Sequence, residues 1–216
     1  MKIDSDLAEI IGLFIGDGCL SKWDGSSVVS FTGHGDHDYD YYDKRVRLIL
    51  KNRFNIDKKI IRRNDCNAIE LKYYNQEIVL FFISLGFKFG KKIDVVIPDR
   101  ILDNKELISA CIRGLFYADG SIYRRYTKKY NNHYRIYNRL ATLEIKNQSK
   151  FLLEQIKYYL ESIGIIVNKL SPYLSYWRLR ITNQKSIDKF FKELSIKHPY
   201  HIKRYKDIRN IEIMGP

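Results

Sequence analysis

Two stretches decide how this chain is read: Leu7-Ala8-Glu9-Ile10-Ile11-Gly12-Leu13-Phe14-Ile15-Gly16-Asp17-Gly18 and Ser109-Ala110-Cys111-Ile112-Arg113-Gly114-Leu115-Phe116-Tyr117-Ala118-Asp119-Gly120. Both carry Gly-Leu-Phe, two further residues and then Asp-Gly, and they stand 102 residues apart. Downstream, Leu71-Lys72-Tyr73-Tyr74-Asn75-Gln76 parallels Leu179-Arg180-Ile181-Thr182-Asn183-Gln184 at an offset of 108. Ile78 with Phe81-Phe82 then matches Ile187 with Phe190-Phe191 at 109. So small a drift over so long a span marks a duplicated unit with short loop insertions.

Each copy carries the same series of patterns. An apolar helix comes first, over Asp6–Ile15 and Lys105–Tyr117. A two-strand region follows, through Val28–Thr32 and Tyr134–Ile145. An amphipathic helix is expected at Tyr39–Arg53 and Ser149–Ile163, where Phe151, Leu152, Gln155, Ile156, Tyr159 and Leu160 keep helical spacing. A second hairpin pairs Lys58–Arg63 with Ala68–Tyr73, and Ile165–Leu170 with Leu174–Ile181. A helix closes the copy, over Gln76–Leu85 or Lys185–Leu194. The expected class is therefore α+β, two αββαββα repeats with antiparallel sheets. They span residues 1–97 and 105–216, with 98–104 as the linker inside a wider connecting stretch, Gly86–Asn104. On the last strand Trp177, Leu179 and Ile181 share one face and Tyr176, Arg178 and Arg180 the other. Ile69, Leu71 and Tyr73 likewise oppose Ala68, Glu70 and Lys72.

The chain has 216 residues, 45% of them apolar, and a formal charge of +13. That is long enough for a sizeable core and too apolar for a disordered basic tail. No apolar run reaches the length of a membrane span. The start, Met1-Lys2-Ile3-Asp4, has no apolar signal region, so an intracellular protein is expected. Cys19, Cys66 and Cys111 lie far apart, as in reduced proteins without a disulfide framework or zinc site. Up to residue 100, sixteen basic side chains face fifteen acidic ones, a net of +1; beyond it 22 face 10, a net of +12. Between Ser121 and Lys150 there are eight basic residues and one acid, Glu144, with tyrosines at 123, 126, 130, 134 and 137 threaded among them. Such a surface suits phosphates, sugars and bases, so nucleic acid is the expected partner. Lys197–Arg209, with His198 and His201, reads as a second basic patch.

Within the repeated helices small residues recur four apart: Gly12 and Gly16, Gly114 and Ala118. This places them on one face, where two backbones can approach closely. A seam through those faces would bring Asp17 and Asp119 together by pseudo-twofold symmetry. Each Asp sits where its helix should end, before a Gly suited to a left-handed cap. A carboxylate there opposes the helix dipole at a cost of about 0.3–1 kcal/mol. Two at one seam also repel, unless a divalent cation lies between them. Mg²⁺ favours such oxygen ligands.

Ile10–Gly18 and Ile112–Gly120 resemble the two signature segments of a monomeric LAGLIDADG homing endonuclease, and the likeness extends over nearly the whole chain. It implies an enzyme that breaks both strands of a long asymmetric DNA site by Mg²⁺-dependent phosphodiester hydrolysis and so promotes intron homing. The motif helices would form the interface through Gly12, Gly16, Gly114 and Ala118. Asp17 and Asp119 would hold the metal with the carbonyls of Gly16 and Ala118, and the two sheets would form a saddle over the major groove. A looser catalytic shell would comprise Lys72, Arg180, His34 and Gln148, with Lys146 close by. Lys72 and Arg180 read equally as phosphate contacts and His34 as a helix cap, with Asp36, Asp38 and Asp40 favouring the start of the following helix. The DNA-facing set would be Arg124, Arg125, Lys128, Lys129, Tyr134, Arg135, Tyr137, Arg139, Lys146, Tyr176, Arg178, Arg180, Lys72, Glu70, Arg62, Lys22 and Trp23. An intron-RNA maturase or a DNA-binding protein that no longer cuts would share the fold. An intein would start with Cys or Ser and end His-Asn, whereas this chain runs from Met1 to Met214-Gly215-Pro216, so an intein is not expected.

Overall fold

The computed structural model describes residues 1–23, 25–128 and 134–209. Trp23, Lys128, Tyr134, Arg135 and Tyr137 are described in their backbone only; their side chains, and Lys129 as a whole, lie outside what is described. By compactness the chain divides into two units, Met1–Asp119 and Gly120–Pro216. This boundary differs from the sequence repeat because the second motif helix packs on the first.

The first unit opens with α1 (Ser5–Asp17), started by Asp4, whose carboxylate accepts the Leu7 N–H at 3.1 Å. Strands β1 (Gly18–Trp23), β2 (Ser26–His34), β3 (Ile61–Arg62) and β4 (Ala68–Tyr73) form an antiparallel sheet in the order β1-β2-β4-β3. Between β2 and β3 run α2 (Tyr39–Tyr41), a π-helical turn (Tyr42–Val46) and α3 (Arg47–Phe54). After β4 comes α4 (Gln76–Ser84), capped by Asn75. The period-two reading of β4 holds: Ile69, Leu71 and Tyr73 are buried and Ala68, Glu70 and Lys72 half-buried. The core gathers Phe14, Phe31, Phe82 and Phe87, with Phe14 stacked on Phe82 at 4.0 Å.

The stretch from Gly86 to Asn104 is more than a connector. It contains α5 (Asp99–Leu102), and Phe87, Val95, Ile97 and Ile101 are buried. Two strand expectations also need correction. Only Ile61–Arg62 of Lys58–Arg63 pairs as strand. In the second unit Ile165–Leu170 joins no sheet, although Ile165 and Val167 point inward and Ile166 outward as in a strand. The Ile166 N–H goes to the Ser186 hydroxyl at 3.0 Å, and Asn168 N–H reaches the Arg180 carbonyl at 2.9 Å. Alternation thus reports extended burial without a ladder.

The first unit ends with α6 (Lys105–Asp119). The second contains β5 (Gly120–Lys128), β6 (Tyr134–Asn147), β7 (Ser171–Tyr173) and β8 (Tyr176–Ile181), in the order β5-β6-β8-β7. Helices α7 (Lys150–Ser162) and α8 (Gln184–Glu193) are capped by Ser149 and Asn183; the latter is the repeat counterpart of Asn75. A helix absent from the sequence reading, α9 (Pro199–Arg209), packs against β5 and β6. It alters the reading of the C-terminal basic patch: His198 and His201 are buried, and Arg209 binds Asp188 at 3.0 Å and the Arg139 carbonyl at 2.8 Å. Tyr205 stacks on Phe191 at 4.1 Å.

Candidate active site

Helices α1 and α6 meet through their small residues. A Cβ on Gly12 would overlap the Cys111 carbonyl, and one on Gly114 would overlap the Glu9 carbonyl. Since Gly12 corresponds to Gly114 and Glu9 to Cys111, the seam is locally two-fold. A Cβ on Gly16 would strike that of Ala118 and lie 3.3 Å from Cγ of Asp119. The carboxylate of Asp119 thus lies over the last turn of α1, beside Asp17.

The seam also holds a polar knot. Glu9, buried to 2% exposure, receives the Tyr41 hydroxyl at 2.8 Å and Arg113 Nε at 2.8 Å. Arg113 Nη2 lies 2.7 Å from the same oxygen, Oε2, that its Nε reaches, and Arg45 bridges Glu9 and Asp6. A buried carboxylate requires such partners.

At the C-terminal end of α1 the expected left-handed glycine is not found. Gly18 is extended, with φ −82° and ψ 159°, and Gly120 begins β5 directly. Gly18 is there for space: a Cβ would overlap the ring of Phe14. The helix end is closed by Lys92 instead, whose Nζ donates to the carbonyls of Phe14, Ile15 and Gly16 at 2.6, 2.9 and 3.0 Å. The same ammonium lies 5.2 Å from the Phe14 ring centroid. A cation at this end also offsets the macrodipole that the two carboxylates oppose.

These groups perturb one another. Burial first, then the charges of Asp119 and Asp38, push the Asp17 carboxyl up to about 7, with Lys92 acting in the opposite sense. Burial lowers Lys92 to about 8 against the pull of Asp119, Asp17 and Cys19. Titratable groups moved this far at a helix junction are features of a functional site. Asp38 follows from the fold of the preceding turn. Its carboxylate accepts the His34 N–H at 2.7 Å; it stands at the start of α2 without a side-chain cap bond, and Asp40 lies in the first turn. His34 Nδ1 accepts the N–H groups of Asp36 and His37 at 3.2 and 3.4 Å, and its ring stacks on His37.

The other site residues are distributed over the two sheets. In the first unit Lys72 pairs with Glu70 at 2.9 Å on the half-exposed face of β4; exposed Lys22 and Arg62 lie against the rings of Phe89 and Tyr39. In the second unit Glu144, buried in the middle of β6, receives Arg180 Nε at 2.5 Å, Lys146 Nζ at 3.2 Å and the Tyr123 hydroxyl at 3.4 Å. Arg178 and Lys146 both lie over the ring of Tyr173, at 4.3 and 5.1 Å. Tyr176 pairs with Tyr173 across the β7–β8 turn. Arg124, Arg125, Arg139 and Gln148 are exposed, Gln148 just before α7. Sequence reasoning missed Lys92, since Gly90-Lys91-Lys92 belongs to neither repeated motif. It also left the partners of Glu9 and Glu144 unassigned.

The donor set near the seam suits a hard cation: two carboxylates, with the carbonyls of Gly16 and Ala118 as further candidates. The Gly16 carbonyl, however, already accepts from Lys92. No group of three or more His, Cys, Asp or Glu that could hold a metal occurs among the described residues, so water or substrate oxygens would have to complete the shell.

Fold and seam together define an α+β protein of two αββαββα repeats joined through paired helices. Residues 106–195 match the family model described as a LAGLIDADG-like domain, which contains the second motif segment; the first segment lies on α1, outside that match. The second repeat thus contains a LAGLIDADG-like domain, and the chain as a whole has the fold of the two-repeat structures it resembles. A structure of mesophilic variants of the homing endonuclease I-DmoI matches 90% of this chain and 97% of its own, with 21% identity and a TM-score of 0.63. I-DmoI in complex with DNA and Mn gives the same identity and score. Full-length DUF199/WhiA from Thermatoga maritima matches 98% of this chain and 62% of its own, at 15% identity and a TM-score of 0.59. Among curated proteins, a replication factor C small subunit of Methanocaldococcus jannaschii is 28% identical over 213 residues, and a tRNA-splicing ligase RtcB of Methanopyrus kandleri is 28% identical over 134. The chain spans about a tenth of the first and 14% of the second. No helix among the described residues is long and apolar enough to cross a membrane.

Proposed function

We propose that this protein is a monomeric, site-specific DNA endonuclease that breaks both strands of a long asymmetric target by Mg²⁺-dependent hydrolysis and promotes intron homing. One observation carries the reading: Asp17 and Asp119, one from each motif copy, converge at the end of a tightly packed helix pair, where burial and then the Asp119 charge raise the proton affinity of Asp17. Asp17 and Asp119 would hold the ion. When bound, it lowers the pKa of an attacking water and stabilises charge on the phosphate and leaving oxygen. Lys92, fixed by three carbonyls, brings a cation beside the place where a scissile phosphate would lie. The basic faces of the two sheets supply the phosphate attraction, the second more strongly. The fold likeness to I-DmoI, which has been seen in complex with DNA and Mn or Ca, supports DNA and a divalent ion as ligands.

The test uses a plasmid library with a randomised insert, incubated with the full-length protein in Mg²⁺, in Ca²⁺ or in chelator. Linear products with short 3′ overhangs and a shared sequence are expected in Mg²⁺ alone, and Asp17→Asn or Asp119→Asn should abolish them while leaving binding nearly intact. The fold likeness to DUF199/WhiA supports a second reading: a DNA-binding protein that does not cut. Tight, sequence-selective binding with intact DNA in Mg²⁺ would decide for it.

A further inference from the structure

Glu144 is the only acid between Ser121 and Lys150, and it lies in the middle of the most basic part of the chain. Its place follows from register. Gly18 pairs with Phe31 and Gly120 with Ile145, so Glu144 occupies the position that Ser30 holds in the first copy. Each of these residues faces the last cation of its neighbouring strand, Ser30 opposite Lys72 and Glu144 opposite Arg180. In the first copy Lys72 obtains a carboxylate from Glu70, two residues back on its own strand. In the second copy that position is Arg178, a like charge, so the carboxylate has to come from across the ladder.

Glu144 does more than balance one charge. Its side chain is 4% exposed, and it receives Arg180, Lys146 and Tyr123 together. Lys146 is held a second time, over the Tyr173 ring that also carries Arg178. A lone arginine or lysine on a sheet face sweeps many rotamers and takes any phosphate it meets. Cations tied to a buried carboxylate keep fewer positions, which is what base-edge recognition needs.

We infer that Glu144 is a specificity-determining, positioning residue: it fixes Arg180 and Lys146 on the second sheet so that they discriminate between DNA sequences. This rests on the DNA-binding reading above. Its removal should therefore strengthen indiscriminate binding.

The test compares the full-length protein with Glu144→Gln, Arg180→Gln and the double variant. Affinity for a random-sequence duplex is followed against KCl, and sequence preference is measured by selection from a randomised duplex pool. Freeing one or two cations should steepen the slope of log affinity against log salt by about 0.9–1.8, an additional loss of about 3- to 12-fold between about 50 and 200 mM salt. The selected consensus should lose specified positions. Arg180→Gln should barely alter the slope when Glu144 is present and should remove about half of the gain when it is not. Equal effects of Arg180→Gln in both backgrounds would reduce Glu144 to a subtracted charge and overturn the inference. So would an unchanged or shallower slope in Glu144→Gln. If that variant does not fold, Arg180→Gln alone decides: a weakened consensus with an unchanged salt slope supports the inference, and an unchanged consensus overturns it. Absence of binding by the unmodified protein would instead bring down the DNA reading, and this inference with it.

Discussion

Replacing Asp17 by Asn should stabilise the metal-free protein, and the gain should depend on pH in a defined direction. The folded carboxyl is raised from 3.8, its value in an open chain, to about 7, by burial first and then by Asp119 and Asp38. Between these values the native state binds more protons than the unfolded one, so stability falls as pH rises through that window. Below the lower value there is no cost; above the upper one it is complete. At about 1.4 kcal/mol per pH unit the ceiling is about 4 kcal/mol, and solvent reaching a partly exposed carboxylate brings our expectation nearer to about 2. Lys92, lowered to about 8, is charged on both sides of the fold across the same window and adds no slope there. Asn keeps the size of the protonated acid without its charge. Urea titrations in chelator should therefore find Asp17→Asn more stable than the unmodified protein at about pH 8, with the difference closing towards about pH 4. Added Mg²⁺ should reverse the ranking, because an ion bound only by the native protein contributes about 2.7 kcal/mol at a hundred times its dissociation constant. An Asn variant less stable than its parent at pH 8 in chelator, or an advantage that persists unchanged into acid, would refute the reasoning.

Two further outcomes follow from the same geometry. Arg113→Ala should destabilise the fold by about 3 kcal/mol, since Glu9 would stay buried after losing its closest cationic partner, with Tyr41 and Arg45 remaining; a loss under about 1 kcal/mol in urea would mean that Glu9 finds water instead. Neutralising Arg124, Arg125, Lys128 and Lys129 together should flatten the salt dependence of DNA binding more than any four neutralisations before residue 100, and an equal effect from the first half would contradict the charge asymmetry.

Much of the fold was legible because the duplication gives each pattern twice. The parallel segments around Asn75 and Asn183 lead into matching helices, and both Asn side chains accept the backbone N–H three residues on, a capping role the sequence reading left unassigned. The four-residue spacing of Gly12 and Gly16 marked the close face because closeness is a property of side-chain size. What failed depended on partners distant in sequence. Ile165–Leu170 has strand alternation, but the ladder needs a free neighbouring edge. Gly18 had the identity of a left-handed cap, yet Lys92, 74 residues further on, closes the helix and leaves glycine to clear the Phe14 ring. Lys92 itself bore no local signal, since neither its neighbours nor its spacing distinguish it from the other lysines of a basic chain.

The seam also shows why the two copies belong in one chain. Its backbone contacts are interchangeable: Gly12 meets the Cys111 carbonyl as Gly114 meets that of Glu9. Its side chains are not. By the offset of 102, Arg113 corresponds to Ile11 and Glu9 to Cys111. Two first helices packed in this manner would bury two Glu9 carboxylates against isoleucine, and two second helices would bring two arginines to the seam without an acid. Uncompensated buried charge costs several kcal/mol per ion. Only the mixed pair joins Glu9 to Arg113, and only the mixed pair brings Asp17 to Asp119 with Lys92 present from the stretch between them. Divergence of the copies at positions 9 and 113 therefore selects the intramolecular seam over a homodimeric one, using residues that lie two turns from the paired carboxylates.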